Sequence, residues 1–156
     1  MSSKGITKIE ALIVGFVIVI LIVANIFLIS YLNKKARDIY VLSEINQIRS
    51  GLEVFLLANN YYPRLEEATE LNNSYYATEK LCLDGFQRID NNCSKNILRP
   101  MPNKFLSQGN TYIYQSIDNN KDYNIEFTLE TNFRDLNLIK GKNCANNLQI
   151  TSQPCF

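Results

Sequence analysis

Four cysteines and one carboxylate are the residues of this 156-residue chain whose types and spacing point to chemistry: Cys82, Cys93, Cys144, Cys155 and Glu10, the last at the lip of an apolar run. No two cysteines have the C-x-x-C spacing of zinc sites and thioredoxin-like centres, so disulfide formation is the chemistry they suit. Four cysteines allow three connectivities. The local one, Cys82–Cys93 with Cys144–Cys155, closes its loops at the least entropy cost, and its second bridge would pin the C-terminus, because only Phe156 follows Cys155. An even cysteine count fits an oxidising compartment. The stretch Asp118-x-Asn120-x-Asp122 opens like a calcium loop, but Tyr123 stands where that loop needs Gly and Leu129 where it needs Glu. Asn and Asp suit a hairpin turn without a metal, so neither metal nor cofactor is assigned.

The chain has no His, which removes Ser-His-Asp and Cys-His catalysis and His-ligated zinc. It has no phosphate-binding loop and no recognisable pair of catalytic carboxylates, so it is not read as an enzyme. Lys and Arg number 16 against 15 Asp and Glu, a net charge of +1. That balance gives no electrostatic case for nucleic acid as a partner. Two N-x-S/T sequons, at Asn72 and Asn92, are a modification signal whose occupancy the motif alone does not assign.

These residues are positioned by a long stem and a polar remainder. Ala11 to Leu32 is almost wholly apolar, with no charge between Glu10 and Lys34. A bilayer core needs about 20 apolar residues as a helix. A cleaved signal peptide would have a core of about 7–15 residues and a small-residue cleavage site, which Tyr31-Leu32-Asn33-Lys34-Lys35 does not supply. A plain signal anchor fits the run but leaves Glu10 unexplained, since charge near lipid is expensive. The cations Lys34, Lys35 and Arg37 after the run, against Lys4 and Lys8 before it, lean weakly toward an inward C-terminal part.

Helical spacing continues past Leu32. Ile39, Leu42, Ile45, Ile48, Leu52, Phe55 and Leu56 recur every three or four residues, with Lys35, Asp38, Glu44, Gln47, Arg49 and Glu53 on the other sides. Asn59 to Pro63 ends the pattern. A helix from about residue 6 to 60 would be roughly 80 Å long. Gly51 inside it reads as a close-packing point. Residues 64–98 read as a variable loop with little regular structure. Thr111–Ser116 and Tyr123–Glu130 read as strands around a turn at 117–122, with Tyr123, Ile125, Phe127 and Leu129 toward the helix. The fold class is α+β, a long N-terminal helix on a small antiparallel sheet.

The first residues, MSSKGITKIE before ALIV, resemble the N-terminus of type IV pilins and type II secretion pseudopilins. That family has a short basic leader ending in Gly, a hydrophobic residue, often Thr next, and Glu five residues past the cut. Lys8 and Ile6 depart from the usual apolar residue and Phe, without touching Gly5 or Glu10. The segment NQIRSGLEVFLLANNYYP is similar to the end of a pseudopilin helix, and the Arg99-to-Asn103 phrase before a Tyr-x-Tyr strand is similar to a pseudopilin head. The resemblance implies a leader at 1–5, cleavage between Gly5 and Ile6 by a prepilin peptidase, and N-methylation of Ile6. It implies a transmembrane and filament-core helix at 6–32, an amphipathic half at 33–60 and a head at 61–156. Glu10 would meet the terminal ammonium of a neighbouring subunit. The implied partners are copies of the chain and related pilins in a helical filament, the peptidase, the membrane platform of an assembly machine, and the bilayer before assembly. The implied location is a single-pass membrane protein with its leader in the cytoplasm and its head outside, then a pilus or envelope pseudopilus. Two alternatives stand beside a pilus subunit: a minor pilin or pseudopilin of a secretion or DNA-uptake apparatus, and a membrane-anchored extracytoplasmic binding domain that never polymerises.

Overall fold

The computed structural model describes residues 8–102 and 111–156. Its first element, α1, runs unbroken from Lys8 to Asn59 over 52 residues. The chain divides into two compact units, with the boundary after Ala36.

The second unit, from Arg37 on, is an α+β layer. The last part of α1 lies against a five-stranded antiparallel sheet built from β1 (Thr69–Glu70), β5 (Ile113–Ile117), β6 (Asp122–Leu129), β7 (Gly141–Ala145) and β8 (Ile150–Thr151), in that spatial order. A separate three-stranded sheet has β2 (Lys80–Cys82) at its centre, between β3 (Gly85–Gln87) and β4 (Asn96–Leu98). This corrects the expectation for 64–98: the region carries four short strands. They are too short to show an alternating pattern, and pairing holds them rather than length.

The amphipathic pattern forms the core. Val41, Leu42, Ile45, Ile48, Leu52 and Phe55 are buried against Tyr112, Tyr114, Tyr123, Ile125, Phe127 and Leu129. Tyr123, Ile125, Phe127 and Leu129 alternate along β6 as period two demands. Two assignments along the helix change. Ile39 is exposed and Val41 takes its place, while Asp38 and Glu44, expected on the polar side, are buried.

Helix α1 stops for local reasons. Asn60 adopts φ 63°, and its N–H bonds to the Leu56 carbonyl at 2.7 Å. That is a left-handed cap, which Asn tolerates better than most residues. Pro63 follows, and its carbonyl accepts the Tyr114 hydroxyl at 2.8 Å. The β5–β6 turn places Asp118, Asn119 and Asn120 at φ 48°, 54° and 63°, and the Asn120 carbonyl accepts the Tyr62 N–H at 2.8 Å. The Asp and Asn of this stretch thus serve the turn and tie it to the end of the helix.

Candidate functional site: an apolar helix without cover

Within the first unit, α1 presents apolar side chains on every side. From Leu12 to Leu32 the large apolar residues are exposed, from 47% at Val23 to 73% at Leu12 and Phe27. This segment has a mean hydropathy of 3.3 in its most apolar window, and the helix is long and apolar enough to cross a membrane. The polar interruption at Asn25 is satisfied locally, its amide donating to the Leu21 carbonyl at 2.7 Å. A helix that is apolar all round is stable only inside lipid or among other apolar surfaces. Glu10 lies in the first turn and is exposed, where a carboxylate also complements the helix dipole. Gly5 and Ile6 lie outside the described residues.

Where the second unit begins, polar groups clamp the helix to the sheet. The Arg37 guanidinium donates two hydrogen bonds to the Glu130 carboxylate, at 2.6 and 2.7 Å. Glu130 holds that guanidinium even further above its ordinary pKa. Asp38, 1% exposed, accepts the Glu130 N–H at 2.8 Å, the Thr131 N–H at 2.7 Å and the Thr131 hydroxyl at 2.6 Å. One buried carboxylate therefore terminates β6 with three donors, the kind of satisfaction a buried charge requires. Further along, Glu44 accepts the Tyr112 hydroxyl at 2.6 Å. Arg49 donates to the Asn146 and Asn147 carbonyls at 3.1 and 3.3 Å, holding the β7–β8 turn. Asp38 and Glu44 carry a signal in the sequence. Asp38 stands seven residues before Ile45 and Glu44 four before Ile48, so helical spacing puts both carboxylates on the apolar stripe.

The cysteines form two disulfides, Cys82–Cys93 and Cys144–Cys155. The first closes a loop around Lys80, which is fully buried. Its ammonium donates to the Ile89 carbonyl at 3.4 Å and to the Asn91 carbonyl. The Ile89 N–H donates to Glu79 at 3.1 Å. Lys80 was not legible from spacing, since a lysine in a short strand gives no hint that a loop will fold over it. The second disulfide joins β7 to the chain end. Beside it Glu126, 3% exposed on the outer face of β6, pairs with Lys142 at 2.6 Å.

At the turn the Asp118 carbonyl accepts the Lys121 N–H at 3.1 Å, the Asn120 carbonyl accepts the Tyr62 N–H, and Asp122 Oδ1 accepts the Tyr123 N–H at 2.7 Å. Among the described residues no cluster of three His, Cys, Asp or Glu could hold a metal. Searches of protein-family models, curated proteins and solved structures return no match to the chain.

Proposed function

We propose that the chain is a structural subunit of a type IV pilus-like filament, processed by a prepilin peptidase and polymerised through its N-terminal helix. One observation carries this reading: a single 52-residue helix is bare and apolar over its first part and packed on a disulfide-braced sheet over its last. A filament subunit needs a stem that can exchange lipid for other stems and a head that folds without them.

The physics favours Glu10 as the selective element. Lipid tails are as apolar as Leu or Ile, so moving the stem from lipid to a bundle of stems changes little hydrophobic energy. Direction and register must come from elsewhere. A carboxylate meeting an ammonium in low dielectric supplies both, because the attraction is strong there and leaving either charge alone is costly. In this reading Ile6 provides the ammonium after cleavage behind Gly5, with its N-methyl group added. The head lies outside the cytoplasm, where Cys82–Cys93 and Cys144–Cys155 persist. Motility, adhesion, secretion and DNA uptake all use such a subunit, and a minor pilin or pseudopilin of a secretion or DNA-uptake apparatus obeys the same physics.

The test is the N-terminal chemistry and mass of the chain recovered from cells. A mature chain beginning at methylated Ile6 supports prepilin processing. A chain retaining Met1 to Gly5 in cells with an active prepilin peptidase overturns it. The protein is then an anchored extracytoplasmic domain that does not polymerise.

A further inference from the structure

We infer that Asn92, and not Asn72, is an acceptor for an N-linked glycan. The inference rests on the head lying outside the cytoplasm; it does not depend on polymerisation. Both asparagines start an N-x-S sequon, and the fold separates them.

The Asn72 sequon is folded into a turn. Asn72 is partly buried with φ 55°, and its N–H bonds to the Thr78 carbonyl at 2.9 Å. The next residue is tied three ways: the Asn73 N–H to Thr78 Oγ1 at 3.0 Å, its amide to Glu70 at 2.8 Å, and its side-chain oxygen to the Tyr75 N–H at 2.9 Å. Leu71, just before, is buried in the core. A transferase must reach the acceptor amide, and the Asn72 side chain is half-buried where that of Asn92 is exposed.

The Asn92 sequon is held from the other side. The Lys80 ammonium grips the loop by the Ile89 and Asn91 carbonyls, and Cys93 is bonded inward to Cys82. The Ser94 N–H also donates to Asp84 Oδ2 at 3.4 Å; all of these restraints act on main chain and sulfur, and they leave Asp90, Asn91, Asn92 and Ser94 with exposed side chains. Among the described residues no hydrogen bond engages the Asn92 amide. The reaction joins Asn92 Nδ2 to the anomeric carbon of a lipid-diphosphate-linked oligosaccharide. The bond from that carbon to the diphosphate oxygen breaks, the lipid diphosphate leaves, and the amide gives up one proton to a base of the transferase.

The experiment is peptide mass mapping of the full chain from its own cells, digested without reduction. The expected result is a sugar mass increment on the Asn92 peptide, still bridged to the Cys82 peptide. Asn92→Gln and Ser94→Ala each remove the increment, and Asn72→Gln leaves it. An unmodified Asn92 in chains whose Cys82–Cys93 bond is intact overturns the inference and leaves the proposed filament role standing. An increment that survives Asn92→Gln also overturns it. Free thiols at Cys82 and Cys93 overturn both readings together, because the head is then not outside.

Discussion

Leu98 rests directly on the bare backbone of Gly51: a Cβ at Gly51 would stand 2.5 Å from Leu98 Cδ1 and 2.7 Å from its Cγ. Glycine costs a helix interior about 1 kcal/mol against alanine. Overpacking costs about 1–3 kcal/mol, so the contact with β4 decides the sign. We predict that Gly51→Ala lowers stability by about 1 kcal/mol net. Adding Leu98→Ala should make the alanine at 51 neutral or favourable, a non-additivity diagnostic of direct contact. Thermal unfolding of the full chain in detergent, followed by circular dichroism, measures both. A gain in stability for Gly51→Ala alone would mean that Leu98 moves aside freely.

Asp38 and Arg37 are neighbours with unequal weight. Removing the Asp38 carboxylate strands two backbone N–H groups and a hydroxyl in the interior, at about 1–3 kcal/mol for each donor left without a partner. Asp38→Ala should therefore cost about 3 kcal/mol or more, and Asp38→Asn, which keeps one acceptor, clearly less. The Arg37–Glu130 pair is partly solvated, and such pairs contribute little. Arg37→Ala should be the milder change. Denaturant midpoints of the three variants should follow that order, and a larger loss for Arg37→Ala would contradict it.

Alkaline pH should unfold the head. Burial, with Glu44, pushes the Tyr112 phenol well above its ordinary value. Burial does the same to Tyr114, and burial with Glu53 raises Tyr62. Burial raises Tyr123 to about 12, the nearby Arg49 pulling it back somewhat. A raised folded-state pKa means that the unfolded chain gives up its phenolic protons first. The stability these groups contribute is whole below pH 10 and is lost as pH climbs toward and through 12. Each tyrosine adds a slope of up to about 1.4 kcal/mol per pH unit in that window. Tyrosinate absorbance of the four should appear together with loss of near-ultraviolet dichroism, and Tyr123→Phe should flatten the slope. Separate titration of these phenols before unfolding would refute the account.

The two disulfides span the same sequence separation, 11 residues, so chain entropy alone gives each about 3 kcal/mol. Replacing both cysteines of either pair by Ala should reach that loss. The Cys82–Cys93 pair should cost more, because its removal also loosens the loop carbonyls that satisfy Lys80. Amide exchange should rise in residues 84–95 and stay slow in β6. Equal losses and an unchanged loop would show that the ammonium holds the loop by itself.

If the proposed filament role holds, Glu10→Gln should abolish filament formation while the chain still fractionates with membranes. Electron microscopy of sheared surface material and membrane flotation read the two properties separately. Loss of both would assign Glu10 to insertion rather than to assembly.

The sequence carried the stem and most of the helix face because those signals are periodic and long. The run from Ala11 to Leu32 and the spacing from Leu42 to Phe55 leave little choice of structure. Gly51 was legible as a packing point, though its partner was not, since Leu98 arrives on a strand of three residues. The β6 alternation was legible for the same reason as the helix. Strand β8 and the small sheet around Lys80 were not, being too short for period two to show, and β7 was not because its sequence Gly-Lys-Asn-Cys-Ala carries no alternation of apolar and polar residues. Asp38 and Glu44 were misplaced because charge suggested solvent, whereas their positions on the stripe pointed inward. Ile39 was misplaced by counting it into that stripe. For the candidate site, Glu10 and the cysteines stood out by type, and the donors that make Asp38 a clamp come from residues more than 90 positions away.

The five-stranded sheet has an evolutionary and engineering consequence. Glu70 at the end of β1 pairs with Ile113 at the start of β5, and the Leu71 N–H bonds to the Tyr112 carbonyl at 2.8 Å. The chain thus leaves the sheet edge after Leu71 and returns to the same point at Tyr112, so the described residues 72–102 belong to an excursion closed at its base. Its exposed turns, at 74–76 and 90–92, are the places where it can lengthen or take a foreign epitope without shifting the register of β5, β6 and β7, because Leu81 and Met101 between and beyond them are buried in the core. What a graft has to restore is therefore more than the closing pair at 71 and 112: the core side chains Leu81 and Met101, the Phe86 ring against Tyr114, an acceptor for the Asn59 amide and something for Gly51 to lie against.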